Sequence, residues 1–228
     1  MKQNYFEPTW SSIKQHQTPN WFKKAKFGIY AHWGIYSVPA AGPNVTWYPY
    51  WMYRPPSPQF DYHCKHYGHP SKFGYKDFIP MFTAEKFNAE EWADLYYRSG
   101  AKFAGPVAEH HDGFPMWNCS DTEWCASKMG PKRDIVGELE KAIRNKGMKY
   151  MVAMHHAENW FFFPHWNNDF DTSKKEYESL YGELHNLDLI GNQAVYPDHW
   201  GRKNEYQDKP SNCLLYTSDA ADDVVRVD

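Results

Sequence analysis

Lys102-Phe103-Ala104-Gly105-Pro106-Val107-Ala108-Glu109-His110-His111-Asp112-Gly113-Phe114 is an apolar run that stops at two imidazoles, flanking carboxylates and a turn glycine. An apolar strand that ends in ionisable groups is how a barrel delivers side chains to a site at its strand ends. For a lone His-His pair, a polar strand end with solvated histidines would be the favoured reading. The distinction lies in whether the pattern recurs along the chain.

It recurs twice. Upstream, Phe27-Gly28-Ile29-Tyr30-Ala31 reads as a buried strand and runs into His32-Trp33-Gly34. Downstream, Lys149-Tyr150-Met151-Val152-Ala153-Met154 runs into His155-His156-Ala157-Glu158-Asn159-Trp160. The second and third strands are each preceded by a helix with explicit start and stop signals. Asn88-Ala89-Glu90-Glu91 is a capping-box signature for a helix that carries Trp92, Leu95 and Tyr96 on one face and stops at Ser99-Gly100. Asp134 caps a helix through Ile135, Leu139 and Ile143 that ends at Lys146-Gly147. The two exits, Gly100-Ala101-Lys102-Phe103 and Gly147-Met148-Lys149-Tyr150, share one grammar. Helix–glycine–strand units with nearly all-apolar strands indicate a parallel sheet covered by helices. Strands over 27–31, 102–108 and 149–154 that each end in histidine point to an α/β fold: a partial (β/α)8 TIM barrel of about three βα units, with its site at the strand C-termini. A doubly wound sheet is the alternative, but no glycine fingerprint follows the first strand.

Between these units, residues 37–80 are rich in Pro, Gly, Tyr and His without a clear period, and read as one long loop. Its aromatics (Trp47, Tyr48, Tyr50, Trp51, Tyr53) favour an ordered, functional loop over a disordered one. The run His63, His66, His69 lies in that loop and reads as solvated rather than metal-binding. Residues 1–20 are a polar lead-in without the apolar core of a signal peptide, and no apolar run approaches the roughly 20 residues of a membrane helix. A formal net charge of −3 argues against a nucleic-acid partner held by phosphate neutralisation. The compartment stays open between cytoplasmic, periplasmic and secreted, and the sequons at Asn44 and Asn118 matter only for a protein secreted from a eukaryote. Cys64, Cys119, Cys125 and Cys213 show no CxxC pair and no zinc spacing, and a Cys119–Cys125 bridge is possible but has no support in the sequence. The last sixteen residues, 213–228, fit neither helical nor strand periodicity and resemble a translated sequencing adapter. The expected division is therefore residues 1–212 as the N-terminal part of a catalytic barrel and 213–228 as a non-native tail.

Three blocks in order carry a family resemblance: the stretch Phe27 to Ala40 with Phe27-Gly28-Ile29-Tyr30-Ala31-His32-Trp33-Gly34 at its head, Thr46-Trp47-Tyr48, and Glu109-His110-His111-Asp112-Gly113-Phe114. Phe78-Ile79-Pro80-Met81-Phe82 and Glu91-Trp92-Ala93 fit the same pattern. Together they resemble the α-L-fucosidases of glycoside hydrolase family 29, from about Trp21 to Asn212. His155-His156-Ala157-Glu158-Asn159-Trp160 is similar to one bacterial subgroup. The resemblance implies a retaining exo-glycosidase on a (β/α)8 barrel that removes terminal α-L-fucose from a fucosylated oligosaccharide or glycoconjugate, with no cofactor. It implies that His32, His110 and His111 hydrogen-bond sugar hydroxyls, a task that suits imidazole because one ring nitrogen donates and the other accepts. Trp47 matches an aromatic near the sugar ring, where indole packs on the apolar sugar face. This chain departs from the pattern twice. Thr46 stands where many members have Glu, and Met154-His155 where some have Tyr, so His155 or His156 is expected to take that substrate contact.

Retaining hydrolysis needs a nucleophile and an acid/base carboxyl about 5–5.5 Å apart. In the family both lie beyond the stretch present here, so no catalytic carboxylate is expected before Asn212. Glu109 and Asp112 read as groups that fix histidine tautomers, and Glu158 as a weaker candidate for substrate contact. Two other classes compete. A metal-dependent barrel hydrolase would use His32, His110, His111 and Asp112, but adjacent histidines on a strand point to opposite faces, so His110 and His111 reach one metal only if the strand ends between them. A non-catalytic carbohydrate-binding module fits the aromatics but not the helix–strand units.

Overall fold

The computed structural model describes residues 6–156 and 159–184. In chain order the helices and strands are α1 (Trp10–Ile13), α2 (Asn20–Ala25), β1 (Gly28–Ala31), α3 (Tyr48–Trp51), α4 (Pro58–His66), α5 (Ala89–Arg98), β2 (Phe103–Glu109), α6 (Ile135–Asn145), β3 (Lys149–Tyr150), β4 (Ala153–Met154), α7 (Asn159–Phe162) and α8 (Glu178–Tyr181). The strands form one parallel arrangement with β2 in the middle. β1 pairs with it from Gly28↔Phe103 to Ala31↔Pro106, and β3 and β4 pair along its other edge. The expected α/β fold with a parallel sheet is present. Among the described residues no helix is long and apolar enough to cross a membrane.

β2 is buried on both faces from Ala104 to Glu109, which its unbroken small and apolar sequence allows. The third strand, expected as one element over 149–154, is split, and β2 supplies the reason. Met151 N–H donates to the Ala104 carbonyl at 3.0 Å. The next rung needs a donor at position 106, where proline has none. The ladder lapses over Met151 and Val152 and resumes at Val107↔Ala153. Gly105 belongs to the same defect: a Cβ there would lie 1.5 Å from the Met151 carbonyl oxygen.

α5 and α6 form as expected. Asn88 Oδ1 accepts from the amides of Glu90 and Glu91 at 3.0 and 3.2 Å, and Asp134 Oδ1 accepts from Gly137 N–H at 2.8 Å. Both helices exit through glycines with positive φ, Gly100 at 89° and Gly147 at 76°. α6 buries Ile135, Leu139, Ala142 and Ile143. In α5 the buried residues are Ala89, Ala93 and Tyr96, whereas Leu95, expected on the inner face, is 54% exposed. The two helices pack together and share an ion pair, Lys146 Nζ to Asp94 Oδ1 at 2.9 Å.

The segment 37–80 is not one loop. It contains α3, α4 and a 3-10 helix over Tyr75–Met81. Ser57-Pro58 starts α4 as an N-cap followed by proline at the first helical position, and Ser57 Oγ accepts from Phe60 N–H at 3.0 Å. His63 is fully buried rather than solvated. Its Nε2 donates to the Phe73 carbonyl and its Nδ1 accepts from the Tyr48 hydroxyl, both at 2.9 Å. The carbonyl can only accept, which fixes that tautomer. His66 and His69 are exposed; His66 stacks on Tyr62, and His69 pairs with Ser71. A second polar tie anchors the return of the chain: Asp171 accepts from the hydroxyls of Tyr53 (2.8 Å) and Tyr181 (2.6 Å). Cys64, Cys119 and Cys125 are free thiols, so the Cys119–Cys125 bridge left open by the sequence is not formed. Cys213 lies outside the described residues.

Candidate active site

β1, β2 and β4 run parallel, so their C-terminal ends open on one side and deliver His32, His110 and His155 to a common place. Ring centroids lie 5.7 Å apart for His32–His110, 5.3 Å for His32–His155 and 5.1 Å for His110–His155. His111 follows at 4.5 Å from His110 and 5.1 Å from His155. Both adjacent rings reach the cluster because β2 ends at Glu109, before the alternation of a strand would have separated them. The tight return is held by Gly113, at φ 73°, where a Cβ would meet the Leu180 carbonyl at 2.1 Å. Trp47 arrives from the segment between β1 and α5, with its indole 5.2 Å from the His111 ring. Thr46 lies beside it, half-buried.

Three of these rings are disfavoured as cations. Burial, then the neighbouring His111, His155 and His32, push the His110 pKa down to about 2. Burial also lowers His32 and His155. Neutral imidazoles present one donor and one acceptor nitrogen each, the pairing a hydroxyl needs. Nδ1 of His110 and Nε2 of His155 are buried with no hydrogen-bond partner among the described residues. Such atoms carry a desolvation cost of about 1–3 kcal/mol each unless a ligand satisfies them.

His156 turns to Glu109. Its Nδ1 bonds Glu109 Oε1 in a short contact. Burial depresses the His156 pKa, but the hydrogen bond and charge of Glu109 outweigh burial and leave it raised. The expected tautomer-fixing role of Glu109 thus falls on His156, not on His110 or His111. The ring of His111 is set by backbone instead: its Nδ1 lies 2.7 Å from the His155 carbonyl oxygen. Asp112 departs from its expected role. Its Oδ2 accepts from the Tyr75 hydroxyl at 2.6 Å and its Oδ1 from Phe114 N–H at 3.3 Å, with no histidine among the described residues bonded to it. The short turn at Gly113 folds the carboxylate back into the core, and burial raises its pKa to about 7. Glu158 lies outside the described residues.

Four residues that sequence patterning did not single out support the cluster. Phe162 on α7 packs against Trp47 and His111 at 5.2 and 5.3 Å. Asn159 donates to the His111 carbonyl at 3.0 Å and to the Leu180 carbonyl at 3.4 Å. Tyr75 holds Asp112, and the Tyr36 ring lies 5.0 Å from His110. Tyr36 and Asn159 lie inside the motif blocks without standing out there, and Tyr75 and Phe162 come from parts of the chain without periodicity, where only the density of aromatics gave a signal. Among the described residues no group of three or more His, Cys, Asp or Glu side chains is arranged to hold a metal ion. Asp112, the carboxylate of the metal-dependent alternative, is committed to Tyr75 and Phe114.

Comparison with known proteins gives a consistent set of matches. A family profile described as alpha-L-fucosidase matches residues 1–228. Plasma alpha-L-fucosidase of Homo sapiens is 46% identical over 157 residues, 68% of this chain and 33% of that protein. The alpha-L-fucosidase of Dictyostelium discoideum is 37% identical over 188 residues, 79% of this chain and 40% of that protein. The crystal structure of Thermotoga maritima alpha-fucosidase in complex with fucose superposes with a TM-score of 0.62 at 43% identity, covering 66% of this chain and 37% of that one. The chain spans about a third of the length of the human plasma protein.

Proposed function

The chain belongs to the α-L-fucosidase family, and on that premise we propose that it is the sugar-gripping part of a retaining exo-α-L-fucosidase acting on fucosylated oligosaccharides or glycoconjugates. The carrying observation is the set of imidazoles from three parallel strand exits gathered beside Trp47, with His110 Nδ1 and His155 Nε2 buried and unpartnered among the described residues. In this reading His32, His110, His111 and His155 exchange hydrogen bonds with the hydroxyls of the terminal sugar, and Trp47, braced by Phe162, takes its apolar face. His110 Nδ1 and His155 Nε2 are desolvated before the sugar arrives, which favours a ligand that brings its own donors and acceptors, while His32 stands exposed at the rim of the cluster.

The sequential parallel order β1-β2-β3 supports residues 1–212 as the first three βα units of a (β/α)8 barrel, with residues 213–228 foreign to it on composition alone. The gene sequence beyond the codon for Asn212 would test that boundary. Neither carboxylate beside the cluster suits the nucleophile. Glu109 is engaged by His156, and Asp112 by Tyr75 and Phe114. The carboxyl pair of the reaction is therefore proposed in the remainder of the longer protein. Assaying both with an aryl α-L-fucoside tests this. The longer protein is expected to turn over and the 228-residue chain to show no release above background; robust turnover by the chain would overturn the proposal.

A further inference from the structure

We propose that His156 is a positioning residue rather than a sugar contact: clamped by Glu109, it holds the chain at His155 so that the His155 carbonyl sets the hydrogen-bonding polarity of His111. The proposal rests on the α-L-fucosidase reading for its ligand, but not for its geometry.

β2 ends at Glu109, and that residue grips two consecutive residues of the neighbouring strand exit. Its carbonyl accepts His155 N–H at 3.0 Å, and its carboxylate bonds His156 Nδ1. The grip falls where the β2–β4 ladder is irregular, between Val107 and Glu109. One backbone hydrogen bond at a register shift leaves the following peptide free to rotate. A side-chain tie on the next residue removes that freedom. The peptide oxygen it orients is that of His155, and this oxygen lies 2.7 Å from His111 Nδ1. A carbonyl oxygen only accepts, so Nδ1 carries the hydrogen, and in the neutral form of the ring Nε2 is then the acceptor nitrogen. His111 can then answer a hydroxyl donor, whereas the other tautomer would lose the bond to His155 and offer a donor instead. The second anchor on the same turn, Asn159 Nδ2–H to the His111 carbonyl at 3.0 Å, fixes the backbone of His111 but not its ring polarity. Electrostatics agree with this assignment. Glu109 is almost fully buried, next to His110, whose pKa burial pushes down, and His156 is the partner the structure gives its carboxylate.

The test uses the longer protein with 15N-labelled histidine, comparing wild type, His156→Gln and His156→Ala by imidazole NMR and by aryl α-L-fucoside kinetics. In the wild type the His111 nitrogens are expected to show the Nδ1–H tautomer without substrate; an Nε2–H tautomer overturns the proposal with no variant needed. Gln retains an amide donor for Glu109, so His156→Gln is expected to keep that tautomer and a KM within about 2-fold of wild type. His156→Ala is expected to mix the His111 tautomers and raise KM about 10-fold while kcat stays within about 3-fold. Equal KM increases in both variants would mark His156 as a sugar contact and sink the proposal, as would an unchanged His111 signature in the Ala variant. If the longer protein turns over no fucoside, the α-L-fucosidase reading fails, while the tautomer measurement still decides the positioning role.

Discussion

At the scale of single residues, what a histidine does in this protein depends on which atom lies across from each ring nitrogen. His63 has a hydroxyl and a carbonyl opposite its two nitrogens and is a closed structural unit. Nδ1 of His110 has no partner among the described residues, so that ring remains open to a ligand. The same logic separates the carboxylates. Asp112 is buried with its pKa raised to about 7, against an ordinary value of about 4 in the unfolded chain. A pKa raised by folding means that the folded state binds the proton more tightly. The associated stability is whole below about pH 4 and is lost as pH rises towards about 7. Asp112→Asn keeps an acceptor for the Tyr75 hydroxyl and does not titrate. In urea unfolding the wild type is expected to lose stability relative to Asp112→Asn between pH 4 and 7; parallel curves over that interval would contradict the assignment.

At the scale of elements, the two capped helices were legible because their signals are local. A capping side chain, an apolar repeat and a terminal glycine act over a few residues, and Asn88, Asp134, Gly100 and Gly147 do what their positions implied. Ser57-Pro58 carried a helix-start signal of the same kind, but the aromatic and proline density around it masked α4. The split of the third strand could not be read from residues 149–154 at all, because its cause lies in Pro106 on the strand beside it. Gly105 is the other half of that arrangement. Gly105→Ala drives a methyl into the Met151 carbonyl and is expected to cost at least about 3 kcal/mol, read as a lower urea midpoint. A midpoint unchanged from wild type would show that the strand yields more easily than its geometry implies.

At the scale of the whole molecule, the described residues gather the surface proposed to hold a sugar, and the two carboxylates beside it, Glu109 and Asp112, are engaged by His156 and by Tyr75 and Phe114. Two clamps, far apart in sequence, maintain it: Tyr53 and Tyr181 on Asp171, and Asn159 on the turn at His111 and Leu180. Holding and cutting should therefore separate in experiment. L-fucose added to the 228-residue chain is expected to shift the imidazole resonances of His110 and His155 in a saturable way, with no hydrolysis of an aryl α-L-fucoside. Unperturbed histidines at saturating sugar in a folded chain would remove His110 and His155 from the binding site.

Local patterning was enough to fix the parallel α/β grammar, the helix caps, the three strand exits that end in histidine, and the motif blocks that identify the family. Each of these is a property of a few consecutive residues or of a repeat along the chain. Only tertiary structure decided that Asp112 turns into the core, that Glu109 serves His156, that Leu95 faces outward and that His63 is buried. The reason is the same in each case. A side chain's partner is set by what lies across from it in space, and at the turn from His110 to Gly113 one residue changes which way the next side chain points. The stretch that begins at Lys102 announced where the histidines gather; the strands and loops packed around it decided which of its side chains bond the protein and which ring nitrogens lack a partner among the described residues.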